Sequence, residues 1–353
     1  MSTASFTVTN TELDFIDEIV CRATNYTDLM DPTVYASRGL YAGLWEPIAH
    51  SVQRGDKQFT LKFEKPCNAH NFRIDVQAAG PLDLQAFIKK SPHWTPEEAR
   101  LRVKQQRMVF VGCARQCAAN IGRSVAKLAQ LGQAFSSYKI IIFENDSSDG
   151  TPAAIMALAE KFPIELISEP GLGAKLQERT ARLAYARNRL LERALTEASD
   201  YICFADLDGP VGDEFPSEAG FLSNFQKSAC WDAVMPVNAG MYYDIWALRH
   251  PVLCPTDFMT LGTELDAALG RPLAVHFAAS YLQVDWRGMT GWLPVDSAFG
   301  GMAIYKASAF SNARYTGILD GREVCEHVPL HQAMRRQGMA LYVNPAFVVA
   351  SHG

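Results

Sequence analysis

The chain has 353 residues, 48% of them in the hydrophobic set and 10% aromatic, enough to bury a core in one large domain or two smaller ones. Charged residues make up 20% and the formal net charge is −5, which speaks against a nucleic-acid partner, since that would need a concentrated basic surface. The longest apolar runs are strand-sized, which argues against a transmembrane helix, and Met1–Ser5 has neither the basic start nor the apolar run of a secretory signal. The expected location is cytoplasmic, with peripheral docking at the inner face of a membrane compatible with that.

In chain order, the region over 1–103 reads as mostly helical and of no legible chemistry. Leu13, Ile16, Ile19 and Val20 fall on one face of a helix. Phe59–Phe63 alternates as a half-buried strand does. Thr95-Pro96-Glu97-Glu98 announces a helix start, with Thr as cap, Pro in the first turn and acids at the positive end of the dipole. A second domain is expected over 104–353. The eight cysteines lack a repeated pair spacing and several sit in apolar runs, so they read as reduced packing residues.

From Met108 the pattern is strand, turn, helix, repeated. Met108–Gly112, Lys139–Phe143, Ile164–Ile167 and Tyr201–Ala205 read as strands. The stretches between them are Ala- and Leu-rich and read as helices, the last from about Lys175 to Glu197. Such alternation implies a parallel sheet with ligands at the carboxyl ends of its strands.

Four features follow those ends. Asp206-Leu207-Asp208 places two hard carboxylates at a strand tip, where they can hold magnesium or manganese against a diphosphate. Glu144-Asn145-Asp146-Ser147 reads either as a plain turn or as an acidic tip, Glu144 and Asp146 holding a base or ribose hydroxyl. Gly112-Cys113-Ala114 is small enough for a nucleotide to approach the backbone, and Arg115 can meet a phosphate. Arg187 and Asn188 sit on a basic helix one element before the paired aspartates. For each, the bland alternative is a solvated turn or surface charge.

Together and in this order the four features resemble the GT-A glycosyltransferases, over roughly residues 108 to 353. The segment Met241-Tyr-Tyr-Asp244-Ile-Trp246-Ala-Leu-Arg249, the helix Arg187–Glu192 and Tyr342-Val-Asn-Pro345 resemble the fungal capsule-associated mannosyltransferase family and its bacterial relatives. Ser297–Ala303 stands where that family has Cys-Trp-Asn-Gly-Met, and the Cys-Trp-Asn part is missing here.

The resemblance implies an α/β fold of GT-A type, a mainly parallel twisted sheet flanked by helices. It implies a metal-dependent hexosyltransferase, mannosyl favoured, that uses a nucleoside diphosphate sugar and Mn2+ or Mg2+. The acceptor would be a glycan or glycolipid in surface polysaccharide synthesis. Asp206 and Asp208 would bind the metal, with His352 as third ligand. Gly112, Cys113, Ala114, Arg115, Glu144, Asp146, Arg187, Asn188, Asp206 and Leu207 would form the nucleotide site. Asp244, Asp296, Glu323 and Glu326 would face the sugars, with Glu323 and Glu326 as alternative acids at the acceptor. The alternatives are a non-catalytic glycan-binding protein on a decayed transferase fold and a sugar nucleotidyltransferase. Retention of both aspartates weighs against the first, and the shortness of Gly112–Arg115 against the second.

Overall fold

A computed structural model describes residues 2–23, 32–37, 44–55, 57–78 and 82–351. The chain divides into two compact units, one made of Met1–His93, Ser228–Cys230 and Thr290–Pro294, the other of the rest.

The first unit is built of strands: β1 (Ser2–Thr9), β2 (Ile16–Ala23), β3 (Thr33–Ser37), β4 (Trp45–Pro47), β5 (His50–Gly55), β6 (Gln58–Cys67), β7 (Asn71–Ala78) and β8 (Leu84–Lys90). They form two four-stranded antiparallel sheets, ordered β1-β7-β3-β4 and β5-β6-β2-β8. In β7 alternate residues Phe72, Ile74 and Val76 are fully buried, and in β6 so are Phe59 and Leu61. These join Ile19, Cys21 and Val34 in one core shared by both sheets, a β-sandwich.

The expectation of a mostly helical first region is therefore wrong for the described residues. Leu13, Ile16, Ile19 and Val20 are spaced as on one helix face, yet the last three belong to β2. A bulge between Ile16 and Glu18 shifts the register of β2, so both isoleucines turn to the core of a strand. The strand expected at Phe59–Phe63 lies within β6, and the helix announced by Thr95 is α1 (Pro96–Val103). Thr95 and Glu98 cap it reciprocally. This helix belongs to the second unit, so the boundary expected at 103/104 falls at His93/Trp94.

The second unit continues with β9 (Arg107–Ala114), α2 (Ile121–Gly132), β10 (Ser137–Glu144), α3 (Thr151–Ala159), β11 (Ile164–Ser168), α4 (Leu172–Lys175), α5 (Arg179–Leu195), β12 (Tyr201–Ala205), α6 (Glu218–Ser223) and β13 (Ala233–Ala239). Next come α7 (Phe258–Leu269) and α8 (Arg271–Ala278). After β14 (Leu293–Pro294), which is counted with the first unit, follow β15 (Met302–Lys306), β16 (Ile318–Leu319), β17 (Arg322–Glu323), α9 (His327–Arg336) and β18 (Leu341–Ala350). Seven strands of this unit share one sheet in the order β11-β10-β9-β12-β15-β13-β18. All neighbours are parallel except those of β15, which runs antiparallel to both β12 and β13. The mainly parallel α/β sheet expected of a GT-A fold is present.

The order β10-β9-β12 sets three carboxyl ends side by side where the chain's winding direction reverses, the place at which such sheets bind ligands. Helix α5 buries Thr180, Ala184, Arg187, Leu191 and Ala194, alternating steps of four and three along one stripe. Arginine 187 is thereby carried inside. Among the described residues no helix is long and apolar enough to cross a membrane.

Candidate active site

The tips of β9, β10 and β12 open on a cleft of about 540 Å3. Asp206 and Asp208 line it, as do Cys113, Ala114, Arg115, Arg187, Asp244 and Glu326. These eight are the sequence-expected residues that the fold brings together. Backbone contacts fix the aspartate tip: the Asp206 N–H donates to the Gly301 carbonyl at 2.9 Å, and the Asn120 side chain donates to the Asp208 carbonyl at 2.7 Å. Gly301 has φ +96° and lies against Pro210 and Tyr243, so no side chain fits there.

Arg187 is the electrostatic centre. Its guanidinium, 7% exposed, pairs with Asp206 Oδ1 at 3.3 Å and with the buried Glu326 carboxylate, and it lies 5.1 Å from the Phe299 ring centroid. Asp244 accepts the Gly300 N–H at 2.9 Å. Burial pushes the Asp244 carboxyl above its ordinary value, and the Gly300 N–H works against that. Burial also raises the Cys113 thiol to about 11, which keeps it protonated near neutral pH.

Seven expected residues are not brought to this cleft. At Gly112 a Cβ would sit 2.7 Å from the Ala205 carbonyl oxygen and from the Leu207 side chain, so packing alone requires a glycine there. Leu207 is itself 1% exposed. Glu144 accepts the Ser147 N–H at 2.9 Å and the Ser168 hydroxyl at 2.8 Å, which closes the turn after β10. Asp146 accepts the N–H groups of Gly171 at 2.5 Å and Gly173 at 2.8 Å. Those contacts, Gly173 foremost, hold its carboxyl below the usual value. Asn188 clamps the Tyr315 backbone with two hydrogen bonds of 2.9 Å. Glu323 accepts the Thr180 N–H at 3.0 Å and the Thr180 hydroxyl at 2.8 Å, and the N–H above all lowers its pKa. Asp296 pairs with Arg335 at 3.2 Å. His352 lies outside the described residues.

Glu323 and Asp296 line a second, larger cavity of about 1570 Å3, together with Arg249, His250, Asp257 and Arg335. Trp246 lines both cavities, and its indole N–H donates to Asp257 at 3.0 Å.

Asn145 and Arg179 line the cleft without being expected there, and Arg182, expected only as part of the basic helix run Arg182–Arg189, lines it too. A signal was available for the arginines. Arg179, Arg182, Leu183, Ala186 and Arg187 repeat at i, i+3, i+4, i+7 and i+8, so one face of α5 that carries Arg187 must also carry the other two.

A divalent cation fits the residues at the aspartate tip. Two hard oxygen donors from one strand end suit magnesium or manganese, which commonly keep positions for substrate phosphates and water. Among the described residues no group of three or more His, Cys, Asp or Glu is arranged as a metal site.

Residues 110–273, from within β9 to the start of α8, match the family described as glycosyl transferase family 2. No curated protein sequence matches the chain. Similar solved structures include a mannosyltransferase from Pyrobaculum calidifontis in complex with GDP-Man and Mn2+, with TM-score 0.41, 13% identity, and coverage of 72% of this chain and 64% of that one. Another is glucosyl-3-phosphoglycerate synthase from Mycobacterium tuberculosis with Mn2+, UDP and phosphoglyceric acid, at TM-score 0.42 and 16% identity, covering 74% and 76%. A third is S. aureus TarS 1-349, at TM-score 0.41 and 11% identity, covering 69% and 60%. The chain spans less than two thirds of the mannosyltransferase and of TarS. The family match lies within the second unit, apart from Ser228–Cys230, and covers less than half of the chain.

Proposed function

We propose that the chain transfers a hexosyl group, mannosyl favoured, from a nucleoside diphosphate sugar to a hydroxyl of a glycan or glycolipid, with a divalent metal. The observation that carries this reading is the meeting of Asp206 and Asp208 with Arg115, Arg179, Arg182 and Arg187 in one cleft of a family 2 domain. Carboxylates alone would attract a cation and arginines alone an anion. The combination suits a metal-bound diphosphate.

Asp206 and Asp208 would hold manganese or magnesium, whose charge would offset that of the departing diphosphate. His352 remains a candidate third ligand on sequence grounds. Arg115, Arg179 and Arg182 hold the diphosphate oxygens, and the backbone of Cys113 and Ala114 faces the nucleotide. Asp244 accepts a sugar hydroxyl, while the Trp246 face packs on sugar C–H groups where the two cavities meet. Of the two candidate acids, Glu326 faces the reacting centre, held in place by Arg187. Glu323 lines only the larger cavity, where an acceptor would enter, and its carboxylate is spent on Thr180. The preference for mannose, and for surface polysaccharide synthesis at the cytoplasmic face of a membrane, rests on the resemblance of Met241–Arg249 to capsule-associated enzymes.

Thermal-shift binding of UDP, GDP, CDP and their sugars, with and without manganese, tests the reading on wild type and Asp208→Ala. At a ligand concentration about 100-fold above Kd, linkage gives about 2.7 kcal/mol of stabilisation. One nucleotide should stabilise the wild type only with metal, and Asp208→Ala should abolish the effect. If no nucleotide shifts the wild type under any metal condition, a non-catalytic glycan-binding role replaces this one.

A further inference from the structure

One polar side chain in the cleft has hydrogen-bonding capacity that the protein leaves unused. His327, the first residue of α9, is 2% exposed and lines the cleft, and neither Nδ1 nor Nε2 has a hydrogen-bond partner. The nearest acid, Glu326, lies with Oε1 3.9 Å from Nε2, beyond hydrogen-bond reach, and is already paired with Arg187.

The ring does not drift. It stacks on Phe299 at a centroid distance of 3.9 Å and 20°, with Tyr315 edge-on at 5.5 Å. One turn further along the same helix face, His331 shows how this protein treats a histidine that is only packing. Its Nδ1 meets the Ser297 hydroxyl at 2.9 Å and its Nε2 the Tyr305 hydroxyl at 2.7 Å. Two histidines of one stripe are equally buried, yet one is fully satisfied and the other left open towards a cavity. Buried polar groups are rarely left so without a ligand or water to meet them.

The chemistry narrows the ligand. Burial and the neighbouring Arg187 guanidinium keep the His327 imidazole neutral, so one nitrogen donates and the other accepts. A phosphate oxygen only accepts and is served by the arginines. A sugar hydroxyl both donates and accepts, which matches a neutral imidazole. Position then chooses between the two sugars: His327 lines the cleft of Asp206 and Asp208 and is not among the residues of the larger cavity.

We propose that His327 hydrogen-bonds a hydroxyl of the transferred hexosyl ring and helps set which sugar the cleft accepts. This rests on the donor-cleft reading above. Nothing in it requires His327 to move a proton, so it is a specificity residue rather than an acid or base.

The test compares binding of a nucleoside diphosphate with that of its sugar, for example GDP against GDP-mannose and UDP against UDP-glucose, with manganese. It uses the full chain as wild type, His327→Phe and His327→Gln. Retained binding of the bare diphosphate, within about threefold, reports a folded cleft. His327→Phe should weaken the sugar nucleotide by about tenfold or more, and His327→Gln, which keeps a donor and an acceptor, should restore most of that. Should His327→Phe fail to fold, His327→Leu carries the same comparison. Equal affinity of the variant and the wild type for the sugar nucleotide overturns the proposal. If the wild type binds neither the diphosphate nor its sugar, the donor-cleft reading itself has failed and this one goes with it.

Discussion

Arg187 connects the two carboxylates that matter most to the cleft, Asp206 at 3.3 Å and Glu326, and both Arg187 and Glu326 are almost fully buried. Removing one partner of a buried pair leaves the other charge stranded in a poor dielectric. Arg187→Met should therefore cost about 3–5 kcal/mol in urea unfolding, and the double variant Arg187→Met with Glu326→Met should recover much of it. A double variant no better than the single one would show that Glu326 is not the stranded charge. The other candidate acid behaves differently. Glu323 is exposed, and the Thr180 N–H holds its pKa below the ordinary 4.5. A carboxylate whose folded value is depressed contributes stability that is complete above its unfolded value and is lost as pH falls through the folded one. The stability advantage of wild type over Glu323→Gln should thus be full near neutrality and shrink as pH drops from 4.5 through that lower folded value. Urea midpoints measured down the acid range check this, and an advantage that grows on acidification would contradict it. In transfer assays Glu323→Gln should keep activity within about tenfold, while Glu326→Gln should lose about a hundredfold or more.

At the scale of elements, the cleft depends on how α5 is seated. The segment before α9 holds its first half: the Thr180 hydroxyl donates to the Gly317 carbonyl at 2.8 Å, Glu323 accepts at the helix start, and Asn188 clamps Tyr315. A Cβ on Gly317 would come within 2.1 Å of the Thr180 carbonyl oxygen, a backbone atom with nowhere to go. Gly317→Ala should push α5 outward, destabilise by about 1–3 kcal/mol and weaken nucleotide binding, because Arg179, Arg182 and Arg187 ride on that helix. Unchanged denaturation and nucleotide affinity would mean that the segment yields instead. None of this seating was legible in the sequence. The strand–helix alternation was, because buried parallel strands are apolar runs such as Lys139–Phe143, and the position of Asp206 and Asp208 in the cleft was legible because they follow such a run. Single polar residues at strand tips are harder to read. Glu144 and Asp146 are the types that hold a nucleotide, but also the types that tie off a turn, and only the partners Ser147, Ser168, Gly171 and Gly173 tell the two apart.

At the scale of the molecule, two compact units are carried on one chain, and every residue lining the cleft belongs to the second. The first could have been recognised as β: Asn71–Ala78 alternates strictly, and Ser2–Thr9 is rich in threonine. The helical reading prevailed because a bulge in β2 places Ile16 and Ile19 at a spacing that a helix also uses. The sandwich has its own core, in which Ile74 is fully buried between the sheets. Ile74→Ala should then cost about 2–5 kcal/mol of stability through the cavity it leaves. If the cleft is self-sufficient within the second unit, the stabilisation gained from nucleotide plus manganese should match that of wild type within about 0.5 kcal/mol, as independent sites do. Both quantities come from one set of denaturation curves recorded with and without ligand. A fall in ligand stabilisation alongside the loss of stability would mean that the cleft needs the sandwich intact, and that sugar transfer is a property of both units together.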